Sequence, residues 1–166
     1  MQKMIETNSL LKEIDNVFPA MAMPTSEDLI YHHDECYSCA EVRRYLNASR
    51  NMEVDDALIR HLHQELYHLS PMTTRWILPY YLKFCLRSEG KYSQEETYFL
   101  VYNLRPSPRF QYDTYQRLSS LNAAQVECLI HFLKWCSGNL DWIEILEDID
   151  KAIKFLHTHP ALRQPA

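Results

Sequence analysis

Glycine is nearly absent from this chain: Gly90 and Gly138 are the only two among 166 residues. Phosphate-cradling loops, dinucleotide-binding turns and tight β-hairpins each need several residues at positive φ, so the scarcity argues against all three. Strand-like alternation of apolar and polar residues never runs beyond four positions. Positive charge is also in deficit, with 17 Lys and Arg against 22 Asp and Glu and a net charge of −5. A general nucleic-acid binder needs clustered cations to displace counterions and is disfavoured, whereas an acidic protein more naturally meets a basic protein partner. No apolar run is long and unbroken enough for a membrane span, and the N-terminal residues do not have the build of a signal peptide. The expected compartment is the cytoplasm. There the five cysteines, an odd number (Cys36, Cys39, Cys85, Cys128, Cys136), are not expected to form a disulfide framework.

What the chain does have is helical periodicity on a globular composition, 46% apolar and 23% charged, in a length that fits one domain over residues 1–166. Leu69-Ser70-Pro71 opens the most apolar segment, with Ser70 as N-cap and Pro71 at the first helical position, where its missing N–H costs nothing. From Trp76 onward that segment is apolar on nearly every face, as befits a helix in the interior. Pro79 inside it deprives the Arg75 carbonyl of its partner and predicts a kink.

Around it, Leu10, Leu11, Ile14, Val17 and Phe18 predict a helix over about 8–18, and Pro19 ends it. Residues 19–34 read as an irregular connection. Cys36, Cys39, Val42 and Leu46 share the inner face of a second helix, and Leu58, Leu62, Leu66 and Leu69 predict a third from Asp55 to about His68. Ser93 with Glu96, and Asn122 with Gln125, have capping-box spacing. Between those two starts, Pro106 and Pro108 break the chain and Tyr112 to Leu118 makes one short helix. Gly90 and Gly138 fall where helices should stop. The last helix presents Trp142, Ile145, Leu146, Ile149, Ile153 and Leu156 inward, with Glu147/Lys151 and Asp150/Lys154 as supporting pairs. The predicted fold is all-α, a single-domain orthogonal bundle of about six to seven helices around a kinked central helix at about 70–88, with an acidic C-terminal helix and tail over 139–166.

Three of these features stand in a telling order. A Cys-x-x-Cys after an irregular N-terminal region, then Leu69-Ser70-Pro71 with Leu78-Pro79-Tyr80-Tyr81-Leu82, then the segment Leu118 to Gln125, resembles a group of small bacterial proteins catalogued only as a domain of unknown function. The resemblance spans roughly residues 8–136, with the helix from Asp141 as an extension. The chain departs from the pattern at Leu78, where an aromatic is usual, and at Tyr80, where alanine is common. The resemblance implies a bacterial, helical, cytosolic protein and no mechanism.

Two constellations could carry chemistry. In His32-His33-Asp34-Glu35-Cys36-Tyr37-Ser38-Cys39, the two thiols and His33 could occupy three corners of a zinc tetrahedron, though a fourth ligand is missing. A redox role would suit a Cys-x-x-Cys at a helix start, but no thioredoxin-like context surrounds it. Core cysteines with no cofactor are the preferred reading, with zinc as the alternative. His61, His63, Glu65 and His68 form the second cluster. Glu65-x-x-His68 has di-iron spacing, but nothing else in the chain completes such a site, and a solvated helix face is expected. No nucleophile and base stand at recognisable spacing.

Asp141, Glu144, Glu147 and Asp148 make the last helix acidic. That pattern is usually a solvated face, and it is also the candidate surface for a basic partner. The functional expectation is therefore a non-enzymatic interaction protein, most concretely an immunity- or antitoxin-like inhibitor. A small metal-binding protein or enzyme using the Cys36/Cys39 region is the alternative.

Overall fold

The computed structural model describes residues 6–32, 36–87, 94–139 and 143–163. Eight α-helices run through them: α1 Thr7–Val17, α2 Tyr37–Ala48, α3 Asp56–Leu62, α4 Pro71–Arg87, α5 Glu95–Leu104, α6 Gln111–Arg117, α7 Ala123–Asn139 and α8 Ile143–His157. The chain is all-α, with more helices than the six or seven expected. Among the described residues the sole extended pairing is an isolated antiparallel bridge between Ile30 and Leu69.

α4 is the interior helix that its composition predicts. Trp76, Ile77, Leu78, Tyr81, Leu82, Phe84, Cys85 and Leu86 are all buried, and Pro79 lies inside it. It shares the centre with α7, whose Val126, Cys128, Leu129, Ile130, Phe132, Leu133, Trp135 and Cys136 are buried around most of the helix circumference. α7 packs between α1 and α8, and α4 lies against α1 and α3. Trp135 Nε1 donates to Thr7 Oγ1 at 3.1 Å and Gln125 Nε2 to the Val17 carbonyl at 3.0 Å, so the polar atoms of this packing are satisfied as well.

The helix starts follow capping chemistry. Asn122 and Gln125 exchange side-chain to backbone hydrogen bonds at 3.0 and 3.1 Å, the reciprocal pattern of a capping box. Asp55 accepts from Leu58 N at 2.9 Å, and Ser70 Oγ accepts from Thr73 N at 3.1 Å. Ser93, Gly90, Asp141 and Trp142 lie outside the described residues, so the expectations placed on them do too. Gly138 sits within the last turn of α7, which continues to Asn139, and is not the stop itself.

Two expectations about helix faces need correction. The helix predicted from Asp55 to His68 ends at Leu62. The chain then tightens: Glu65 N donates to the Leu62 carbonyl and His68 N to the Glu65 carbonyl, both at 2.9 Å, and Leu66–His68 forms a 3₁₀ turn. The change of period rotates His68 off the solvated face and buries it at 5% exposure. On α8, Leu146 points to solvent with 40% of its surface exposed, while Ile145, Ile149 and Leu156 are buried as expected. Leu146 follows Ile145 by about 100° of helix rotation, which carries it out of the buried stripe.

The connection before α2 is pinned, and this positions the site. Tyr31 N donates to the His68 carbonyl at 2.7 Å and Ser70 N to the Leu29 carbonyl at 3.1 Å. The Ser70 hydroxyl also donates to the Asp28 carbonyl, so one residue both caps α4 and ties down the connection. Leu29 and Ile30 are buried beneath it. The start of α2, a few residues further on, is thereby laid beside His68.

Candidate functional site

Cys36 is the N-cap of α2. Its sulfur accepts from Cys39 N at 3.2 Å, the role that serine or aspartate usually plays, and it stands where the helix dipole favours negative charge. One turn on, Cys39 Sγ lies 2.8 Å from Cys36 Sγ and 3.3 Å from His68 Nδ1. The three donor atoms fall within 4.8 Å of one another. Cys36 is exposed and Cys39 buried, so the second helix does not carry both cysteines into the core as expected. His33, the imidazole that sequence spacing put with the cysteines, lies outside the described residues. His68, from a cluster read as a solvated face, supplies an imidazole to the group.

The environment differentiates the donors. Hydrogen bonding with the Cys39 thiol and backbone lowers the pKa of Cys36. Burial, with the Cys36 sulfur next, pushes the Cys39 thiol up to about 11. Burial also lowers the pKa of His68, against an opposing pull from Glu65. Burial thus favours the neutral imidazole, the form that ligates metal. Glu65 Oε2 lies 3.2 Å from His68 Nε2, close enough to pair, although the contact is too poorly aligned for a hydrogen bond. A carboxylate that accepts from the far nitrogen orients a histidine ligand and raises its basicity, and a small rotation of Glu65 would complete that arrangement.

Zinc–sulfur and zinc–nitrogen bonds of about 2.3 and 2.0–2.1 Å imply tetrahedral donor separations of roughly 3.5–3.8 Å. The Cys39 to His68 distance is close to that range, and the two sulfurs would part by about 1 Å. Exposed Cys36 is the donor free to make that movement. The residues therefore fit a soft divalent metal, with three protein donors and one position left over.

A cleft of about 550 Å³ lies alongside. Tyr31, Tyr67, Phe99, Tyr102 and Phe110 are among its walls, together with His32, Arg105, Asp113 and Arg117. Tyr67 joins the two features, since it lines the cleft and its ring centroid is 3.9 Å from that of His68. Sequence periodicity did not reveal this cleft, because its walls come from the connection before α2, the 3₁₀ turn, α5 and α6. The prolines at 106 and 108 are the available signal, since Pro106 lines the cleft and Pro108 opens the 3₁₀ turn that carries Phe110 into its wall.

The acidic residues of the last helix are dispersed in role. Glu144 is exposed, and Glu147 is exposed and paired with Lys151 at 2.7 Å. Asp148 is half-buried and paired with Arg105 at 3.0 Å, so it is not part of the free acidic face expected of it. Asp141 lies outside the described residues. Cys85 and Cys128, by contrast with Cys36, are buried thiols pushed up to about 12 by desolvation. Both belong to the core.

Among the described residues no helix is long and apolar enough to cross a membrane. Neither the curated proteins nor the solved structures contain a match to the chain. The model of one protein family does match, over residues 6–157, and its reach takes in α8, which is therefore part of the family pattern and not an extension to it. By that match over most of its length, the chain belongs to DUF6714, a family of unknown function.

Proposed function

We propose that this chain is a small metal-binding protein whose centre is Cys36, Cys39 and His68, with zinc the natural occupant. The observation that carries the reading is the convergence of two thiols and a buried imidazole from segments 29 residues apart, with a carboxylate near the imidazole's far nitrogen. Zinc prefers this mixture of sulfur and nitrogen donors. A bound zinc would supply Lewis acidity and acidify a water at its fourth position. The chain's own contribution is to favour neutral His68 by burial, to keep one sulfur at the surface and to place Glu65 within reach of the ring's far nitrogen. Isothermal calorimetry of metal-stripped protein with zinc tests the reading. One site per chain is expected, abolished by Cys36→Ser/Cys39→Ser and weakened about 10–100-fold by Glu65→Gln. Absence of binding in a folded wild type would contradict it.

A second reading is an interaction protein of the immunity or antitoxin kind, whose acidic surface docks on a basic partner. Glu144 and Glu147 support it, because both carboxylates stand exposed on α8. Charges of this kind steer association more than they hold a complex, so the association rate should fall with salt and on Glu144→Lys/Glu147→Lys. Surface-based kinetics with a co-purifying protein tests this, and an association rate indifferent to both changes would remove the face from consideration.

A further inference from the structure

We propose that the cleft beside the cysteine–histidine group binds a small molecule with a flat aromatic body and a single carboxylate-type anion, the anion seated on Arg117. The inference does not depend on whether the group holds a metal. At about 550 Å³ the cleft is within the usual range for small-molecule sites. Its mouth keeps large rings in contact with solvent: Tyr67, Tyr102 and Phe110 are 48, 52 and 51% exposed. Leaving so much aromatic surface in water costs free energy that a flat apolar body would recover.

The charge of the ligand follows from how the cleft's ionic groups are already engaged. Arg105 is paired with Asp148 at 3.0 Å and lies over the Tyr102 ring at 4.7 Å, so its charge is compensated from behind. Asp113 interacts with the Tyr31 hydroxyl and acts on Arg117 from beyond ion-pair distance. Arg117 has no carboxylate at ion-pair distance among the described residues. Its guanidinium donates to neutral oxygens, Asn103 Oδ1 at 3.3 Å and Thr114 Oγ1 at 3.0 Å. Those two bonds fix the plane of the guanidinium, which has five N–H donors in all. A half-buried, oriented cation with no carboxylate in direct contact, in a wall of aromatic rings, is complementary to a planar anion, which it can meet with parallel charge-assisted hydrogen bonds. Burial weakens the guanidinium's hold on its proton more than the charge of Asp113 restores it, and an anion in direct contact would offset the remaining penalty.

The test is calorimetric titration of the full chain with 2-naphthoate, 2-naphthalenemethanol and 2-naphthylmethylammonium, which share one ring body and differ in charge. The naphthoate should bind at least tenfold more tightly than the alcohol, in keeping with a hydrogen bond to a charged group. Arg117→Gln should erase that preference. Phe110→Ala, at an exposed rim position, should weaken naphthoate and alcohol in parallel. Asp113→Asn should tighten the naphthoate alone, and this variant decides the matter if Arg117→Gln does not fold. Equal binding of acid and alcohol, a preference for the ammonium, an acid preference that survives Arg117→Gln, no tightening in Asp113→Asn, or no binding of any probe would each overturn the assignment.

Discussion

Cys36 and Cys39 stand one helical turn apart, and what surrounds each sets its chemistry. Cys36 is exposed, caps α2 and has a lowered pKa, whereas Cys39, Cys85 and Cys128 are buried with thiols pushed up to between about 11 and about 12. Iodoacetamide at neutral pH should therefore alkylate Cys36 well ahead of the other cysteines, since the thiolate is the nucleophile. Peptide mass spectrometry over a time course would show this, and uniform labelling would contradict it. The imidazoles give a pH signature. His68 and His159 both have pKa values lowered from 6.5, in each case chiefly by burial. As pH falls through 6.5 the unfolded chain takes up these protons before the folded one does, so stability that is full above that value declines below it. Melting temperature should fall on acidification through this window, and less so in His68→Gln/His159→Gln. An identical decline in that variant would place the sensitivity elsewhere. The two cysteines are legible in the sequence and their imidazole partner is not. His68 is spaced for an outward face on a continuous helix, and only the break after Leu62 turns it inward.

At the scale of elements, helix starts were the most legible feature because capping is local. Asn122 with Gln125, Asp55 and Ser70 each declare a start through side-chain oxygens that satisfy free N–H groups. Ends and breaks were less legible. The stop after Leu62 carries neither glycine nor proline, and beyond it Leu66 and Leu69 are buried from a 3₁₀ turn and not from a continuous helix. α4 is the element whose truncation should cost most: Trp76 is 4% exposed, and Trp76→Ala should lose about 3–5 kcal/mol in chemical denaturation. A loss below about 1 kcal/mol would contradict its place in the core. α8 carries a sharper contrast. Glu147→Gln breaks an exposed pair and should cost no more than about 0.5 kcal/mol. Asp148→Asn uncovers half-buried Arg105 and should cost about 1–2 kcal/mol, between exposed and buried pairs. Equal costs in thermal denaturation would mean that the Arg105–Asp148 pair does not join α8 to α5.

For the whole molecule, composition and periodicity were enough for an all-α chain, and the order of Cys-x-x-Cys, Leu69-Ser70-Pro71 and the Leu78 to Leu82 core was enough for the family. The site was legible only in part, because it is assembled across the chain. The Ile30–Leu69 bridge and the Ser70 tether to Asp28 bring the segment before α2 against the turn before α4, and no local pattern announces such a pairing. α8 shows the reverse case, since its acidity was plain in the sequence while the engagement of Asp148 by Arg105 was not. The central claim is that this assembly makes Cys36, Cys39 and His68 a single metal centre. X-ray absorption at the zinc edge of the zinc-loaded chain tests it most directly. The account predicts two sulfur donors at about 2.3 Å and one histidine nitrogen at about 2.0–2.1 Å, with one further light atom and with the nitrogen's imidazole signature lost in His68→Gln. A shell without sulfur, a shell of four sulfurs, or an imidazole signature unchanged in His68→Gln would contradict it.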